Sequence, residues 1–326
     1  MRFGRQKNLR NFAEFQMKLV SFVIPVFRNQ GSLRTTYEQI AGLFKGALSA
    51  YDYEIVFVDD GSDDNSPNEL FELHNSDKKV KVITFSRNFG QLAATTAGLN
   101  NIVGDCAVVM SADLQDPVAL AGEMVNSWAA GSEIVIGYRI GREDGLIVAL
   151  TSKIFYSLMR MIYPRMPGGG FDFCLLDKVC VHEMNKILDK NRFFQGDVLT
   201  LGFSVKFIPY QRIKRTLGKS QWTISKKIKY FVDCLVTSSY LPIRLMSMLG
   251  FVTASVGFIY GLLIVCVRLC HHAPFTGWAP IMILILVIGG FLMSMLGIIG
   301  EYIWRIYDEV KKRPNHIIKS QHFHLE

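Results

Sequence analysis

The stretch that decides the fold is VVMSADLQDP, from Val108 to Pro117, in which an apolar run ends in a cluster of oxygen-bearing side chains. An upstream stretch, VFVDDGSDDNSP from Val56 to Pro67, repeats this pattern. A near-continuous apolar run is typical of a strand buried on both faces of a parallel sheet. One DDG turn is weak evidence, because Asp and Gly are common in turns, but two such clusters a helix apart indicate a site.

Short apolar runs alternate with helix-length amphipathic segments from Leu19 to about Tyr210. The runs that we expect to be strands are LVSFVIPV, YEIVFVDD, VKVITFS, CAVVMSAD and EIVIGY. Between them, the apolar spacing of residues 33–48, 91–102 and 118–130 is typical of helices. The alternation predicts an α/β domain with a mostly parallel sheet covered by helices. Ligands of such sheets bind at the carboxyl ends of the strands, where both acidic clusters lie.

The C-terminal third contains two apolar runs, Leu245–Val267 and Trp278–Gly300, each 23 residues long and without a charge. A helix that rises about 1.5 Å per residue needs about 20 residues to cross the hydrocarbon of a bilayer. We therefore expect a transmembrane hairpin and not two buried helices of a soluble domain. The linker His271–Gly277 lacks Lys and Arg. The outer flanks are basic, which by the positive-inside rule places them in the cytoplasm: Lys226, Lys227, Lys229, Arg244, Lys311, Lys312 and Arg313.

Two further segments, residues 152–165 and 226–244, mix bulky apolar residues with cations. This pattern is typical of helices that lie on a membrane surface, and ordinary packing onto the sheet is the alternative. The expected division of the chain is a basic N-terminal segment (1–18), a catalytic-type domain (19–222), interfacial helices (223–244), the hairpin (245–304) and a polar tail (305–326). We expect the end of the tail to be mobile and assign it no function.

The composition narrows the classes of function. The net charge is +8, and half of the residues are apolar. A basic excess suits nucleic acid or an anionic membrane, and the position of the cations beside the apolar runs favours the membrane. Six cysteines form no CxxC pair, so we interpret them as reduced apolar fillers. The sequence has no GxxxxGK[ST], HExxH or GxSxG motif, which excludes the usual P-loop, zinc-protease and serine-hydrolase patterns.

A series of motifs resembles, in type and order, the polyprenyl-phosphate glycosyltransferases of glycosyltransferase family 2, which include dolichol-phosphate mannose synthases and bactoprenol glucosyl transferases. The motifs are VIPVFRN, VDDGSDD, SRNFGQLAATTAGL, MSADLQDP, GYRIGRED, GGGFDFCLLDK, NRFFQGDVLTLGF and RTLGKSQW. The resemblance covers roughly Leu19 to Lys312. It implies a GT-A type nucleotide-sugar-binding domain, an inverting, metal-dependent transfer of one sugar, and undecaprenyl phosphate as acceptor. UDP-glucose is the donor that the bactoprenol branch implies.

The resemblance also implies roles for individual residues. The nucleotide sugar would be bound by Pro25, Val26, Asp59, Asp60, Ser111 and Asp113. A Mg²⁺ or Mn²⁺ ion on the donor diphosphate would be held by Asp113 and Gln115. The reaction centre would contain Asp172 together with Asp113. The acceptor phosphate would be bound by Arg139, Arg142, Arg212, Arg215, Lys219 and Ser220. The enzyme would be a multi-pass protein of the bacterial inner membrane, with its catalytic domain and both termini in the cytoplasm.

The chemistry of these residue types agrees with the implied reaction. A lipid phosphate is already an anion, so the site must supply charge neutralisation and alignment more than a strong base. Arginine makes bidentate contacts to phosphate, and a divalent metal acts as a Lewis acid on the departing diphosphate. Asp172 could orient a group, accept a proton, or serve only as a helix cap or ion-pair partner. Arg139 and Arg142 could alternatively belong to a solvated basic loop.

Two positions depart from the family pattern. Many members have Asp where this chain has Ser111, and a neutral hydroxyl would reach a metal through water or not at all. Arg28-Asn29 stands where relatives often have Asn-Glu. These departures support an alternative function, a catalytically weak membrane scaffold. A processive polysaccharide synthase is a further alternative, but it needs more spans and a QxxRW motif, of which Gln221-Trp222 is a fragment.

Small residues in the second apolar run would let helices approach closely, which suits a homo-oligomer without defining its stoichiometry: Gly289, Gly290, Gly297 and Gly300.

Overall fold

The computed structural model of the chain describes residues 17–140, 155–187, 192–213, 241–270 and 279–324, with isolated positions at 189, 234, 236 and 239. Four predicted site residues lie outside these ranges: Arg142, Arg215, Lys219 and Ser220. Most of the predicted interfacial segment 223–244 and the N-terminal residues 1–16 lie outside them as well. The chain divides into two compact units. Unit 1 comprises Met1–Leu188, Phe194–Gln221 and Pro314–Glu326, and unit 2 comprises Asp189–Phe193 and Trp222–Arg313.

Unit 1 contains an eight-stranded sheet with the strand order β7-β5-β6-β4-β1-β2-β3-β8. The strands are β1 (Leu19–Val26), β2 (Asp52–Asp59), β3 (Val80–Phe85), β4 (Cys106–Val109), β5 (Ile134–Arg139), β6 (Phe173–Asp177), β7 (Val205–Tyr210) and β8 (Ile318–His322). Strands β4, β1, β2 and β3 run parallel to their neighbours in this order, as β5 does to β7. Strand β6 is antiparallel to β4 and β5, and β8 is antiparallel to β3. The prediction of an α/β fold with a mostly parallel sheet is confirmed.

Helices cover both faces of the sheet. They are α1 (Leu33–Lys45), α2 (Ser66–Ser76), α3 (Gln91–Leu99), α4 (Ala119–Ala129), α5 (Lys178–Lys186) and α6 (Phe194–Thr200), and residues 155–162 are also helical. Successive side chains of a strand point to opposite faces, so Ile55 and Phe57 join one buried cluster, while Val56 and Val58 join another. The second cluster includes Ala97 of α3.

The register of the parallel strands brings their carboxyl ends to one edge of the sheet. Val26 of β1 pairs with Asp59 of β2, and Asp59 pairs with Thr84 of β3. On the other side of β1, Val23 pairs with Val109, the last residue of β4. The two acidic clusters therefore leave the sheet at the same edge, as the sequence predicted.

The C-terminal tail differs from our expectation, because part of it is a strand. β8 pairs with β3 through Val82↔His322, Ile83↔Gln321 and Thr84↔Ser320. The His324 ring stacks on the His74 ring with centroids 4.0 Å apart, and its Nε2 lies 2.9 Å from the His74 carbonyl oxygen. The segment is polar because an edge strand leaves much of its surface in solvent, not because it is mobile.

Unit 2 contains two long helices, α7 (Leu241–Cys270) and α8 (Ala279–Val310). Both are long and apolar enough to cross a membrane, over Ile243–Leu263 and Val287–Val310, and neither stretch is buried within the protein. Large apolar side chains such as Phe251, Phe258 and Leu269 are about three-quarters exposed, at 75%, 74% and 76%. Helices with this surface suit hydrocarbon better than water, which supports membrane association.

Candidate active site

Two neighbouring carboxylates at the end of β2 have different environments. Asp60 accepts hydrogen bonds from the backbone N–H groups of Phe89 (2.6 Å) and Gly90 (2.9 Å), and burial raises its pKa to about 6. Asp59 is fully buried, which raises its pKa, and accepts from the Ser62 N–H at 3.1 Å through Oδ1. Its Oδ2 has no hydrogen-bond partner within the described ranges. Asp60 therefore fixes the loop after β3, whereas Asp59 has one buried carboxylate oxygen without a hydrogen-bond partner in the described part of the chain.

The end of β1 lies beside this carboxylate pair. Pro25 and Val26 pair with Val58 and Asp59. The Val26 side chain is buried in the core, so Val26 could meet a nucleotide only through its backbone. The predicted pocket residues of β1 and β2 are thus neighbours, and Pro25 is the partly exposed one among Pro25, Val26 and Asp59.

Arg28, one of the two departures from the family pattern, has a defined partner. Its Nε and Nη2 donate to the two carboxylate oxygens of Asp63, both at 2.6 Å. Its backbone is in the left-handed region, with φ of 55°, and its N–H donates to Ser62 Oγ at 3.0 Å. Arg28 thus joins the loop after β1 to the loop after β2, a structural contact that a carboxylate at this position could not make.

The second acidic cluster follows β4 and contains one residue with unusual backbone geometry. Leu114 lies between Asp113 and Gln115 with φ of 57°. A left-handed conformation is unfavourable for a branched side chain and is typical of functional turns. Gln115 donates from Nε2 to the carbonyl oxygen of Ile213 at 3.4 Å, and the Ile213 N–H donates to the Gln115 carbonyl oxygen at 2.9 Å. These contacts orient the Gln115 side-chain amide so that its nitrogen faces Ile213 and its oxygen is the atom that could bind a ligand.

Ser111, the other departure, lies between two carboxylates. Its Oγ is 2.7 Å from Asp113 Oδ1 and 2.9 Å from Asp116 Oδ2. Asp116 is 1% exposed, and the Asp113 side chain is 9% exposed. The hydroxyl therefore stabilises carboxylates of the cluster through hydrogen bonds in the position where many relatives carry a third carboxylate.

The donor set fits a hard divalent cation in an open site. Among the residues that the structure describes, no group of three or more His, Cys, Asp or Glu side chains forms a closed metal cage. Mg²⁺ and Mn²⁺ bound to a diphosphate need only one or two protein carboxylates, since phosphate and water supply the other ligands. Asp113 and the Gln115 amide oxygen offer such a partial set.

Arg139, the last residue of β5, lies on the other side of the site. Its Nη2 donates to Asp172 Oδ2 at 2.7 Å, and its Nε donates to the hydroxyl oxygen of Tyr210 at 3.3 Å. Its side chain is 11% exposed. Burial alone would disfavour the charge, but Asp172, Tyr210 and Asp116 raise the pKa of Arg139. Arg139 is thus a fixed cation with a carboxylate partner, and not part of a solvated loop.

Arg212 faces the acidic cluster that follows β4. Its Nη2 is 3.6 Å from Asp113 Oδ2, and its Nε is 3.9 Å from Asp116 Oδ1. Arg212 and the carboxylates of this cluster are therefore neighbours.

Three residues of the site were missing from our sequence-based set: Asp116, Tyr210 and Gln195. Tyr210 donates to Asp116 Oδ1 at 2.6 Å, and burial together with Asp116 raises the pKa of the Tyr210 hydroxyl. Gln195, at 7% exposure, donates to Asp172 Oδ1 over a long 3.5 Å. Asp116 stands in the stretch quoted first, and its proline neighbour made it look like a turn residue. Tyr210 is 94 positions from Asp116, so no spacing pattern connects them.

The comparisons with known proteins agree with this geometry. The profile described as Glycosyl transferase family 2 matches residues 21–180. The uncharacterized glycosyltransferase YkcC of Bacillus subtilis (strain 168) is 35% identical over 93% of this chain and 94% of its own length. The SfII prophage-derived bactoprenol glucosyl transferase of Shigella flexneri is 32% identical over 93% of this chain and 98% of its own length.

Among solved structures, the complex of glucosyl-3-phosphoglycerate synthase from Mycobacterium tuberculosis with Mn²⁺ and uridine-diphosphate-glucose is a distant match. It is 14% identical, with a TM-score of 0.48, over 68% of this chain and 77% of that chain. At this distance neither ligands nor residue roles transfer. The near-full-length relatives confirm the resemblance and with it the GT-A type fold: the chain is a glycosyltransferase and belongs to glycosyltransferase family 2.

Proposed function

We propose that the chain transfers one sugar from a nucleotide-sugar donor, UDP-glucose as the first choice, to undecaprenyl phosphate at the cytoplasmic face of the bacterial inner membrane. The observation that carries this proposal is the position of Arg139 and Arg212 next to Asp113 and Asp172 at the ligand-binding edge of the sheet. Cations beside carboxylates suit a reaction that joins an anionic acceptor to a metal-bound diphosphate donor. The near-full-length bactoprenol glucosyl transferase relatives support the acceptor and the sugar.

Each residue has a separate task in this reaction. Asp59 would accept a hydrogen bond from the base or ribose. Asp113 and Gln115 would hold Mg²⁺ or Mn²⁺, which would supply Lewis-acid stabilisation of the departing diphosphate. Arg139 and Arg212 would bind the acceptor phosphate.

Asp172 holds Arg139 in place, and in the reaction it would act as an orienting group, because the phosphate needs no strong base. Direct attack of a phosphate oxygen on the anomeric carbon, opposite the departing nucleotide, would invert the configuration.

Three features support the proposed membrane topology. α7 and α8 each suit a bilayer span. β8 follows α8 in the chain and is part of the sheet of unit 1, which suits a hairpin that returns to the cytoplasmic side. Lys311, Lys312 and Arg313 come between them, and positive charge at a span end favours the cytoplasmic side. The contact of residues 152–165 and 226–244 with the membrane surface, and a homo-oligomer through the glycines of α8, are parts of the same proposal.

The test is a transfer assay with the purified full chain, undecaprenyl phosphate in detergent, Mg²⁺ or Mn²⁺, and a panel of radiolabelled nucleotide sugars. We expect label from one donor to enter the organic phase, and EDTA to abolish this transfer. Asp113→Asn should reduce the rate by at least about a hundredfold, since one ligand of the charge-stabilising ion is weakened.

The matched control is Asp52→Asn. Asp52 begins β2 at the opposite end from Asp59 and pairs with Lys79, so this variant should retain normal transfer. If no donor gives label while UDP still binds, the proposal is wrong and the membrane scaffold becomes the better reading. If Asp113→Asn and Asp52→Asn are equally active, the assigned metal site is wrong.

A further inference from the structure

We propose that Tyr210 and Asp116 are positioning residues that couple binding of the donor to binding of the acceptor. The inference rests on the proposed function, because it takes Asp113 as the metal and donor side and Arg139 as the acceptor-phosphate side. The geometry that carries it is a continuous line of hydrogen bonds between these two sides. It runs through Asp172, Arg139, Tyr210, Asp116, Ser111 and Asp113.

The centre of this line is a buried pair from distant parts of the chain. Tyr210 ends β7 and Asp116 follows β4, yet the Tyr210 hydroxyl donates to Asp116 Oδ1 at 2.6 Å. Asp116 is 1% exposed and Tyr210 is 5% exposed, so water does not replace this contact. The Tyr210 ring is held from the side by Phe173, with centroids 6.2 Å apart in an edge-to-face arrangement. The pair is therefore a rigid connection and not a surface contact.

The acceptor end of the line depends on the same hydroxyl. In register, Tyr210 pairs with Arg139 across β5 and β7. Because the Tyr210 hydrogen is used by Asp116, its oxygen accepts the Arg139 Nε–H at 3.3 Å. This contact turns the guanidinium so that Nη2 meets Asp172. Removing the hydroxyl would leave the arginine tethered at one end only.

At the donor end of the line of hydrogen bonds, the arrangement depends on the single hydrogen atom of the Ser111 hydroxyl. Ser111 Oγ lies within hydrogen-bond distance of Asp113 and Asp116, but a hydroxyl has one hydrogen to donate. A cation bound to Asp113 would occupy that carboxylate, and the Ser111 hydrogen would then turn fully to Asp116. Asp116 would be held on both oxygens, with Ser111 on one and Tyr210 on the other. The Tyr210 hydroxyl, and through it Arg139, would be fixed in the orientation that receives a phosphate.

Each ligand thus fixes the side-chain arrangement that the other ligand needs. The ligand that binds second therefore meets a site whose side chains are already ordered. The predicted result is positive coupling, by which the metal-bound nucleotide raises the affinity for the lipid phosphate. Thermodynamic linkage requires the same factor in both directions. Couplings between sites commonly amount to a factor of about 5–150. Part of this coupling would persist without the line of hydrogen bonds, because the metal ion and the phosphate also attract each other electrostatically.

The experiment is isothermal titration calorimetry on the full chain in detergent, with UDP and Mn²⁺ as the donor-side probe and undecaprenyl phosphate as the acceptor-side probe. UDP is used because it cannot react. The ratio of UDP dissociation constants without and with the lipid phosphate is the coupling factor. We expect Tyr210→Phe to reduce this factor at least about fivefold. A purely structural weakening would change both dissociation constants and leave their ratio unaltered.

Two further variants make the result decisive. Tyr53→Phe is the matched control, because the Tyr53 hydroxyl also meets a carboxylate, Asp77, but Tyr37 holds that carboxylate too. It should keep the wild-type coupling factor. Asp116→Asn preserves size and serves if Tyr210→Phe does not fold. Its amide nitrogen can donate to Ser111 and direct the hydroxyl to Asp113, so the coupling should also be lost.

The outcomes separate this inference from the proposed function. If both probes bind and the coupling factor is equal in wild type, Tyr210→Phe and Asp116→Asn, the coupling line is refuted while the proposed function stands. If undecaprenyl phosphate does not bind to the wild type at all, the proposed acceptor is wrong and the inference falls with it.

Discussion

Gly61 offers a direct test of how tightly the donor side of the site is built. It follows Asp60, has φ of +69°, and packs against the backbone of the loop after β3. A Cβ at this position would lie 2.4 Å from the carbonyl carbon of Arg87 and 2.8 Å from the Asn88 nitrogen. Close contacts between real Cβ atoms and other atoms begin near 3.4 Å. Gly61→Ala therefore forces the two backbone segments apart by about 1 Å, because neither contains a flexible side chain that could move instead.

The displacement acts on the hydrogen bonds that hold this loop. The bonds from Phe89 and Gly90 to Asp60 are 2.6 and 2.9 Å long, and a shift of about 1 Å would take both beyond hydrogen-bond distance. Hydrogen bonds to charged groups contribute about 1.5–3 kcal/mol each, and left-handed strain adds about 1–2 kcal/mol. We expect Gly61→Ala to lower the free energy of unfolding by about 4 kcal/mol or more. The weakened loop should reduce UDP affinity by at least about tenfold.

Gly131→Ala is the matched control, because Gly131 also has a positive φ of +104° but no atom lies within 4 Å of its added Cβ. It should show only the strain, about 1–2 kcal/mol. The difference between the two variants should appear as an apparent Tm that is about 5–10 °C lower for Gly61→Ala, measured by thermal unfolding in detergent. Equal Tm values and equal UDP affinities for the two variants would refute the reasoning.

Three further outcomes follow from the contacts described above. Burial raises the pKa of Asp60 to about 6, so the stability that its protonation contributes is present below the unfolded value of 3.8 and is lost as the pH rises through about 6. The Tm of wild type relative to Asp60→Asn should therefore fall between about pH 4 and pH 6, and a constant difference would contradict the assignment. Gly98→Ala places a Cβ 2.3 Å from Val23 Cγ1 in the core and should destabilise the protein by about 1–3 kcal/mol in denaturant unfolding. Its control is Gly122→Ala on α4, where no atom lies within 4 Å of the added Cβ, and this variant should be neutral or stabilise by up to about 1 kcal/mol. Equal effects of the two variants would show that the α3–β1 contact can relax. Asp177 caps α5 by accepting a hydrogen bond from the Val179 N–H, and it also accepts one from Trp128 Nε1 at 2.7 Å. Asp177→Ala should therefore lower the free energy of unfolding by about 2 kcal/mol, and Asp177→Asn should lower it clearly less. An equal loss of stability in the two variants would mean that neither hydrogen bond matters.

The strands of the sheet centre were predictable from the sequence because burial on both faces leaves a continuous apolar run. LVSFVIPV became β1 with the same bounds, Leu19–Val26. The bounds of β2 and β5 differ from the predicted runs by one residue at both ends, and β3 ends one residue earlier than predicted. The run CAVVMSAD gave only Cys106–Val109, since its polar end turns into the site. β6 was read as a motif and not as a strand, and its antiparallel direction depends on a long connection that sequence periodicity does not reveal.

The local sequence pattern also could not distinguish between residues whose roles depend on neighbours from distant parts of the chain. Asp59 and Asp60 are adjacent carboxylates in one motif, and only the contacts with the loop after β3 show that Asp60 has a structural task. Ser111 looked like a lost ligand because its second partner, Asp116, was not recognised. Tyr210 had no sequence signal, because its importance arises from the strand order that places β7 next to β5. What was missed lies in contacts between distant segments and not in residue type.

The C-terminal strand has a consequence for the biosynthesis of the protein. β3 is synthesised before both long apolar helices, but its outer neighbour β8 is synthesised only after them. Until then β3 has an open edge, which is a hazard for aggregation and a recognition feature for chaperones. The catalytic sheet can therefore be completed only in a chain whose hairpin has already been synthesised. A chain that stops short of Pro314 would therefore keep this open edge, because it lacks the strand that pairs with β3.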